Sequence, residues 1–245
     1  MGTIYDPFVA RALEPWSFGI YAGGQSILVG TPSGVTLGPE GGAHQSVITP
    51  SIGIEQPGCV FWEPAFGQDF EWAFLHALSQ LGREDGTSAY FRLSTRPIDQ
   101  SLHTGTREEV LRGGYKLRPH DAPQVAIAVM GALVPEALAA ADELTEAGIA
   151  VEVVCVTSAD LLFRSLQARS GLGDGDPRTL ERLFRPGVPI VSLLDGHPHT
   201  LAFLGSPIAC LGVQRFGQAG DIADLYEHHE IDAESVVGAA LDLLA

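Results

Sequence analysis

The residues best equipped for chemistry lie in one glycine-rich stretch, Gly34-Val-Thr-Leu-Gly-Pro-Glu-Gly-Gly-Ala-His-Gln-Ser46. It places Glu40 and His44 four residues apart. An imidazole passes a proton near neutral pH, and a neighbouring carboxylate can orient it or accept a hydrogen bond from a substrate hydroxyl. Glycines let the backbone approach a ligand closely. A second polar cluster, Asp195-Gly-His-Pro-His-Thr200, falls short of a metal site, because two histidines and one aspartate are a weak ligand set. No metal-binding residues are expected. Cys59, Cys155 and Cys210 are odd in number and lack a CxxC pair, so they read as reduced, buried thiols. His76 falls on a helix and reads as a packing or surface residue. His228 and His229 suit a structural or dimer-interface role.

The elements that must hold the glycine-rich loop follow from hydrophobic periodicity. Ser26–Gly30 is a short apolar strand leading into the loop, with further strands at Gly58–Trp62 and Ser88–Leu93. Between the last two, Pro64–Leu81 spaces Phe66, Phe70, Phe74 and Leu78 as a helix does. Thr104–Asp121 is polar and reads as a connector. Beyond it the pattern restarts: a strand at Val125–Met130, a helix at Pro135–Ala147 stopped by Gly148, and a strand at Ala150–Val156, together a βαβ unit. Strands at Pro189–Leu194 and Ile208–Val213 follow, then a closing helix at Ala233–Leu244. Leu172–Arg185 reads as a loop leading into a short helix. Alternating strands and helices predict an α/β protein with parallel sheets. In such sheets ligands bind beyond the carboxyl ends of the strands, where the glycine-rich loop sits. The predicted division is a first domain at 1–110, a linker at 111–122 and a second domain at 123–245.

Bulk composition narrows the functional classes. The 245 residues are 45% hydrophobic, enough for a sizeable core, and carry 14 basic against 30 acidic residues for a formal charge of −16. Nucleic-acid binding calls for clustered cations, whereas Lys116 is the only lysine and the arginines are scattered. No apolar stretch approaches the roughly 20 residues of a membrane span, and the N-terminus lacks a signal pattern. The expectation is a cytoplasmic protein with neither a nucleic-acid nor a membrane partner.

Glu40-Gly-Gly-Ala-His-Gln-Ser46 resembles the acidic-Gly-x-x-His-Gln segment in the pyrimidine-binding domain of the thiamine diphosphate-dependent transketolase family. Thr36–Leu78 is similar to the matching stretch of homodimeric pyruvate dehydrogenase, the decarboxylating component. Thr3-Ile-Tyr-Asp6, Tyr21-Ala-Gly23, Tyr115-Lys-Leu117, Val156-Thr-Ser158, Phe216-Gly217 and Leu225-Tyr-Glu-His-His-Glu-Ile-Asp-Ala233 continue the resemblance in order, over nearly the whole chain. It implies a partial pyrimidine-binding fold followed by a transketolase C-terminal-like α/β/α domain. It also implies that His44 faces the thiazolium and substrate, that Glu40 lies near a substrate hydroxyl, and that Tyr5 and Phe8 pack against the aminopyrimidine. Arg96 would contact a substrate phosphate; the alternative for it is a surface ion pair.

The family's activating glutamate lies upstream of the matched region, and its Gly-Asp-Gly…Asn motif for Mg²⁺ and diphosphate belongs to another domain. Gly173-Asp-Gly-Asp176 is only superficially like that motif. The resemblance therefore implies a partner subunit carrying the diphosphate-binding domain, in a homo- or hetero-oligomer that acts on a small keto substrate. Thiamine diphosphate would be bound with Mg²⁺ supplied by the partner chain or domain. The reaction would be 2-oxo acid decarboxylation or ketol transfer. The competing readings are a non-catalytic assembly or regulatory protein, a stable piece of a longer enzyme, and an unrelated flavodoxin-like module.

Overall fold

The computed structural model describes all of residues 1–245, whose apolar runs form two sheets. The first contains β1 (Gly2–Ile4), β2 (Ile27–Gly30), β3 (Cys59–Trp62) and β4 (Ser88–Arg92), all parallel, in the order β1-β2-β4-β3. The second contains β5 (Gly114–Arg118), β6 (Val125–Met130), β7 (Val151–Val156), β8 (Ile190–Leu194) and β9 (Ile208–Leu211). Its order is β5-β7-β6-β8-β9, parallel except for β5, which runs antiparallel to β7. Strands β6, β7 and β8 are buried at every position. A parallel sheet covered on both faces demands this, and it explains their unbroken apolar sequences.

Nine helices cover these sheets: α1 (Val9–Tyr21), α2 (Thr49–Glu55), α3 (Gly67–Gln80), α4 (Arg107–Arg112), α5 (Val134–Glu146), α6 (Ala159–Arg169), α7 (Thr179–Leu183), α8 (Ile222–His228) and α9 (Ala233–Leu244). Helix α5 stops at Gly148, whose φ of 84° is left-handed, while Ile149 N–H bonds back to the Leu144 carbonyl at 2.9 Å. Helix α3 is shorter than its phenylalanine spacing predicts. Its inner face runs through Asp69, Ala73 and Ala77, while Leu78 is exposed. Phe70 and Phe74 pack edge-on against Phe91 of β4.

The segment expected as a linker, 111–122, contains β5 and is thus the antiparallel edge of the second sheet. Just before it, Thr106 caps α4: its hydroxyl accepts from Glu109 N–H, and the Glu109 carboxylate accepts from Thr106 N–H. The two sheets also share one apolar layer. Leu28, Phe61 and Tyr90 of the first belong to the same buried cluster as Ala126, Met130, Val154 and Leu194 of the second, with Leu162 of α6 between them. Each large side chain buried there contributes about 1.5–3 kcal/mol.

A polar latch fixes the chain between the sheets. The His103 ring sits 5.4–5.6 Å from Phe66, Trp72 and Tyr115, centroid to centroid. Its Nε2 lies 2.8 Å from Asp69 Oδ1, and Tyr115 donates its hydroxyl to Asp69 Oδ2 at 3.1 Å. Burial raises the Asp69 pKa, and His103 opposes that rise. Replacing Asp69 by alanine strands two polar partners in an aromatic cage, so Asp69→Ala should lose about 3 kcal/mol, read from the urea midpoint of unfolding.

Candidate functional site

The glycine-rich loop leaves β2 at its carboxyl end and crosses to segments that follow β8 and β9 of the second sheet, which hold it by hydrogen bonds. Val35 N–H donates to both Asp195 carboxylate oxygens at 2.8 and 3.0 Å, and His197 N–H donates to the Val47 carbonyl at 3.0 Å. The Gln45 amide donates to the Gln218 carbonyl at 2.9 Å and accepts from Gln218 N–H at 3.1 Å. Two glycines are obligatory here. A Cβ on Gly34 (φ 74°) would lie 2.1 Å from Asp195 Oδ2, and one on Gly41 (φ 54°) would lie 2.5 Å from Ala219 N. Only glycine combines such torsions with such contacts.

Held this way, the loop delivers His44 in a single 3-10 turn, Gly42–His44, against a second such turn, Asp6–Phe8. Tyr5, Phe8 and His44 form a triangle of rings with centroids 5.7 Å (Tyr5–Phe8), 5.9 Å (Tyr5–His44) and 5.9 Å (Phe8–His44) apart. The Tyr5 hydroxyl donates to the Glu40 carboxylate. Its pKa is pushed up to about 12, first by desolvation, then by that hydrogen bond and the carboxylate's charge, so Tyr5 remains a donor. Four side chains from the two ends of this region thus meet on one patch, where His44 and Glu40 are exposed. An exposed imidazole beside two aromatic faces can exchange a proton with a molecule stacked against those rings.

Beneath the patch lies a buried charge network that the sequence reading did not anticipate. Arg92, at the end of β4, is buried and pairs with two carboxylates, Asp6 and Glu63. Its Nη1 donates to Glu63 Oε1 at 2.5 Å and its Nε to Asp6 Oδ2 at 3.1 Å and Thr49 Oγ1 at 3.0 Å. Its Nη2 donates to the Ser46 carbonyl and hydroxyl oxygens, each at 3.2 Å. Asp6 also accepts from Ser46, Tyr90 and, at 2.6 Å, Thr49. Asp6 follows Tyr5 directly, and Ser46 lies two residues beyond His44, so the network fixes both halves of the aromatic triangle. The signal available in sequence was a lone charge at the carboxyl end of each apolar strand: Arg92, Glu63 and Asp195. Such charges are rarely buried unless paired.

Arg96 lies elsewhere. Glu136 at the start of α5 grips its guanidinium through both oxygens at 2.5 and 2.6 Å, and the Ala132 carbonyl accepts from Nη1 at 2.9 Å. The Tyr226 ring stacks 5.0 Å from its Cζ. His197 and His199 pair with each other, their Nδ1 atoms 2.8 Å apart, while Asp195 faces Val35 instead. No group of three or more His, Cys, Asp or Glu residues is arranged to hold a metal ion. Cys59 and Cys155 are buried free thiols, and burial pushes both well above the usual thiol range. No helix is long and apolar enough to cross a membrane.

Residues 113–232, starting just before β5, match the family described as the transketolase-like TK C-terminal domain. The chromosomal transketolase of Cupriavidus necator is 30% identical over 217 residues, covering 87% of this chain and 30% of that protein. The chain carries a transketolase-like C-terminal domain. It corresponds to the C-terminal part and spans about 30% of the length of the curated transketolases it matches. A 6-deoxy-6-sulfo-D-fructose transketolase subunit of Clostridium sp. (strain MSTE9) is 30% identical over 226 residues, covering 90% of this chain and 65% of that protein. The Escherichia coli pyruvate dehydrogenase E1 component is 24% identical over 94% of this chain and 28% of its own length. Among solved structures, a transketolase variant from Pichia stipitis superposes with a TM-score of 0.84 at 23% identity, covering 99% of this chain and 33% of that one. One described as a split-gene transketolase, inactive beta4 tetramer, gives 0.62 at 20% identity, over 99% of this chain and 75% of that chain. The transketolase-like fold therefore extends across both sheets.

The network under the transketolase-like loop sets a pH response. Three carboxylates, Asp6, Glu63 and Asp195, surround one guanidinium. Desolvation, with Asp195 and Asp6 adding to it against the pull of Arg92, lifts Glu63 from 4.5 to about 7. A carboxyl raised on folding is protonated in the native state while ionised in the unfolded one, so its contribution falls as pH climbs from 4.5 to about 7. Glu63→Gln keeps the acceptor for Arg92 but removes the titration. Thermal melts across that window should show a flatter profile for this variant, and a higher Tm than the parent protein at pH 8.

Proposed function

We propose that this chain forms the pyrimidine-facing and C-terminal part of a thiamine diphosphate-dependent enzyme that works with a partner chain or domain. The observation carrying the reading is the convergence of Tyr5, Phe8, His44 and Glu40 on one exposed patch, over a buried network that fixes their positions. The patch fits the ring end of the cofactor: two aromatic faces for the aminopyrimidine, and an imidazole beside them. The Mg²⁺–diphosphate end does not fit this chain, which carries a formal charge of −16 and no arranged set of ligating side chains. A diphosphate needs a divalent cation or helix N-termini to offset its charge, and the proposal assigns these to the partner. The Clostridium relative described as a transketolase subunit supports a divided enzyme.

When bound, thiamine diphosphate supplies the electron sink for breaking a bond beside a keto carbon. The chain's own groups then have defined tasks. His44 gives and takes protons at its exposed imidazole, and Glu40, oriented by Tyr5, accepts a hydrogen bond from a substrate hydroxyl. Tyr5 and Phe8 bind and orient the ring. For Arg96 the geometry favours a strut between the domains, and a substrate role requires an anion to displace Glu136.

The reading is tested by combining the chain with a partner that carries the diphosphate-binding domain, in thiamine diphosphate and Mg²⁺, and assaying ketol transfer and 2-oxo acid decarboxylation. Activity should require both chains, and His44→Ala should lower kcat by about a hundredfold. No activity with any such partner, or a His44→Ala variant equal to the parent, sinks the proposal. Arg96 is resolved separately by Glu136→Gln: a lowered KM for an anionic substrate assigns Arg96 to substrate, and a lowered Tm with unchanged KM assigns it to the domain junction.

A further inference from the structure

A well-formed cavity lies away from the His44 patch and shares no lining residue with it. It has a volume of about 790 Å³ and lies between α2 of the first domain and α6 and the turn Pro198–Leu201 of the second. Small-molecule sites fall in this size range and favour domain junctions. Its apolar part consists of Ile54, Ala202 and two rings, Phe163 and Phe203, set edge to face at 5.3 Å and 78°. A flat molecule can lie against one of those rings and be edged by the other.

The polar part can be worked out proton by proton. His197 Nδ1 accepts from the His199 backbone N–H at 3.3 Å, so it bears a lone pair. The two Nδ1 atoms, 2.8 Å apart, must share one proton, which therefore sits on His199. Nε2 of His199 is then an acceptor, and the Ser51 hydroxyl, 3.3 Å away, donates to it. Burial, then the neighbouring ring, lowers the His197 pKa, in keeping with its role as an acceptor. Arg164, another lining residue, spends Nε and Nη2 on Asp160 at 2.9 and 3.0 Å, and Nη2 also reaches the Cys59 carbonyl at 2.7 Å. Its charge is matched by Asp160, and Nη1 is left as a donor. The wall thus offers both donors (Arg164 Nη1, the Gln167 amide) and acceptors (His199 Nε2, the Glu55 carboxylate), without an uncompensated positive charge. An anionic ligand would face Asp160 and Glu55 with nothing left to neutralise it.

We infer that this cavity is a binding site for a neutral planar heteroaromatic molecule with a donor–acceptor edge, such as an aromatic amide, lying against the wall that the Phe163 and Phe203 rings form together. The site is independent of the thiamine diphosphate reading, since neither domain's contribution to it includes a residue of the His44 patch.

The test is calorimetric titration of the full chain with nicotinamide, and with benzoate as the anionic probe of the same size. Nicotinamide should bind one per chain, with Kd near millimolar for so small a molecule, and benzoate about tenfold more weakly. Phe163→Leu, which keeps apolar volume, should weaken nicotinamide by about tenfold. Ala202→Trp, a change at an exposed rim position, should abolish binding without loss of Tm. Failure of nicotinamide to saturate, equal binding of benzoate, or binding that survives Ala202→Trp would each overturn the inference.

Discussion

The structure depends on the burial of one guanidinium. Arg92 has no exposed surface on its side chain, and neither does Asp6, its partner. Taking such charges out of water costs several kcal/mol per ion, recovered only where geometry and further hydrogen bonds are favourable. Those conditions are met by residues from four separate stretches: Asp6, Ser46 with Thr49, Glu63, and Tyr90, which reaches the guanidinium through Asp6. None of them can shift without stranding a charge. A flexible glycine-rich loop and a short N-terminal turn, which local propensity would leave mobile, are thereby held in one arrangement. Lysine would not substitute, because a single ammonium cannot aim at Glu63, Asp6 and the Ser46 carbonyl from three sides.

The network also explains why the chemistry-bearing residues stay at the surface. Neutralisation happens underneath, among buried groups, so the patch above is free to be exposed and polar. His44 and Glu40 are not consumed by structural pairing, apart from the Tyr5 hydroxyl that orients Glu40. Arg96 shows the opposite arrangement. Its guanidinium is committed through Nη1 and Nη2 to Glu136 and stacked on Tyr226, the pattern of a group that ties the segment after β4 to α5 and α8.

Most strands were legible because buried parallel strands leave continuous apolar runs: Val125–Met130 is β6 residue for residue, and Val151–Val156 lies within the expected range. The errors have physical causes. β5 looks like a connector in the sequence because Gly-Tyr-Lys-Leu-Arg alternates as an edge strand does, in a chain whose central strands are continuous apolar runs. Thr106 and Glu109 form a capping box whose spacing was visible, yet α4 is only six residues long and has no periodicity of its own. Helix α1 contains Pro15 and Gly19, both unfavourable in a helix interior, and forms because Val9 and Trp16 pack onto the sheet. The glycine-rich loop and the family resemblance single out His44, Glu40, Tyr5 and Phe8, and the structure brings the four side chains together. The network under them could not be found that way. Its members are charges and hydroxyls on four segments whose adjacency exists only after folding.

The hydrogen bonds between Gln45 and Gln218, and between Val35 and Asp195, carry a consequence for how such proteins diversify. The loop bearing His44 is anchored to main chain and side chains more than 150 residues downstream. A chimera joining the first half of one relative to the second half of another would inherit the imidazole without its moorings, unless the glutamine at 45 met the same backbone course at 218 and the glycine at 34 met the aspartate at 195. The two halves, although each has its own sheet, are therefore constrained to evolve as a unit.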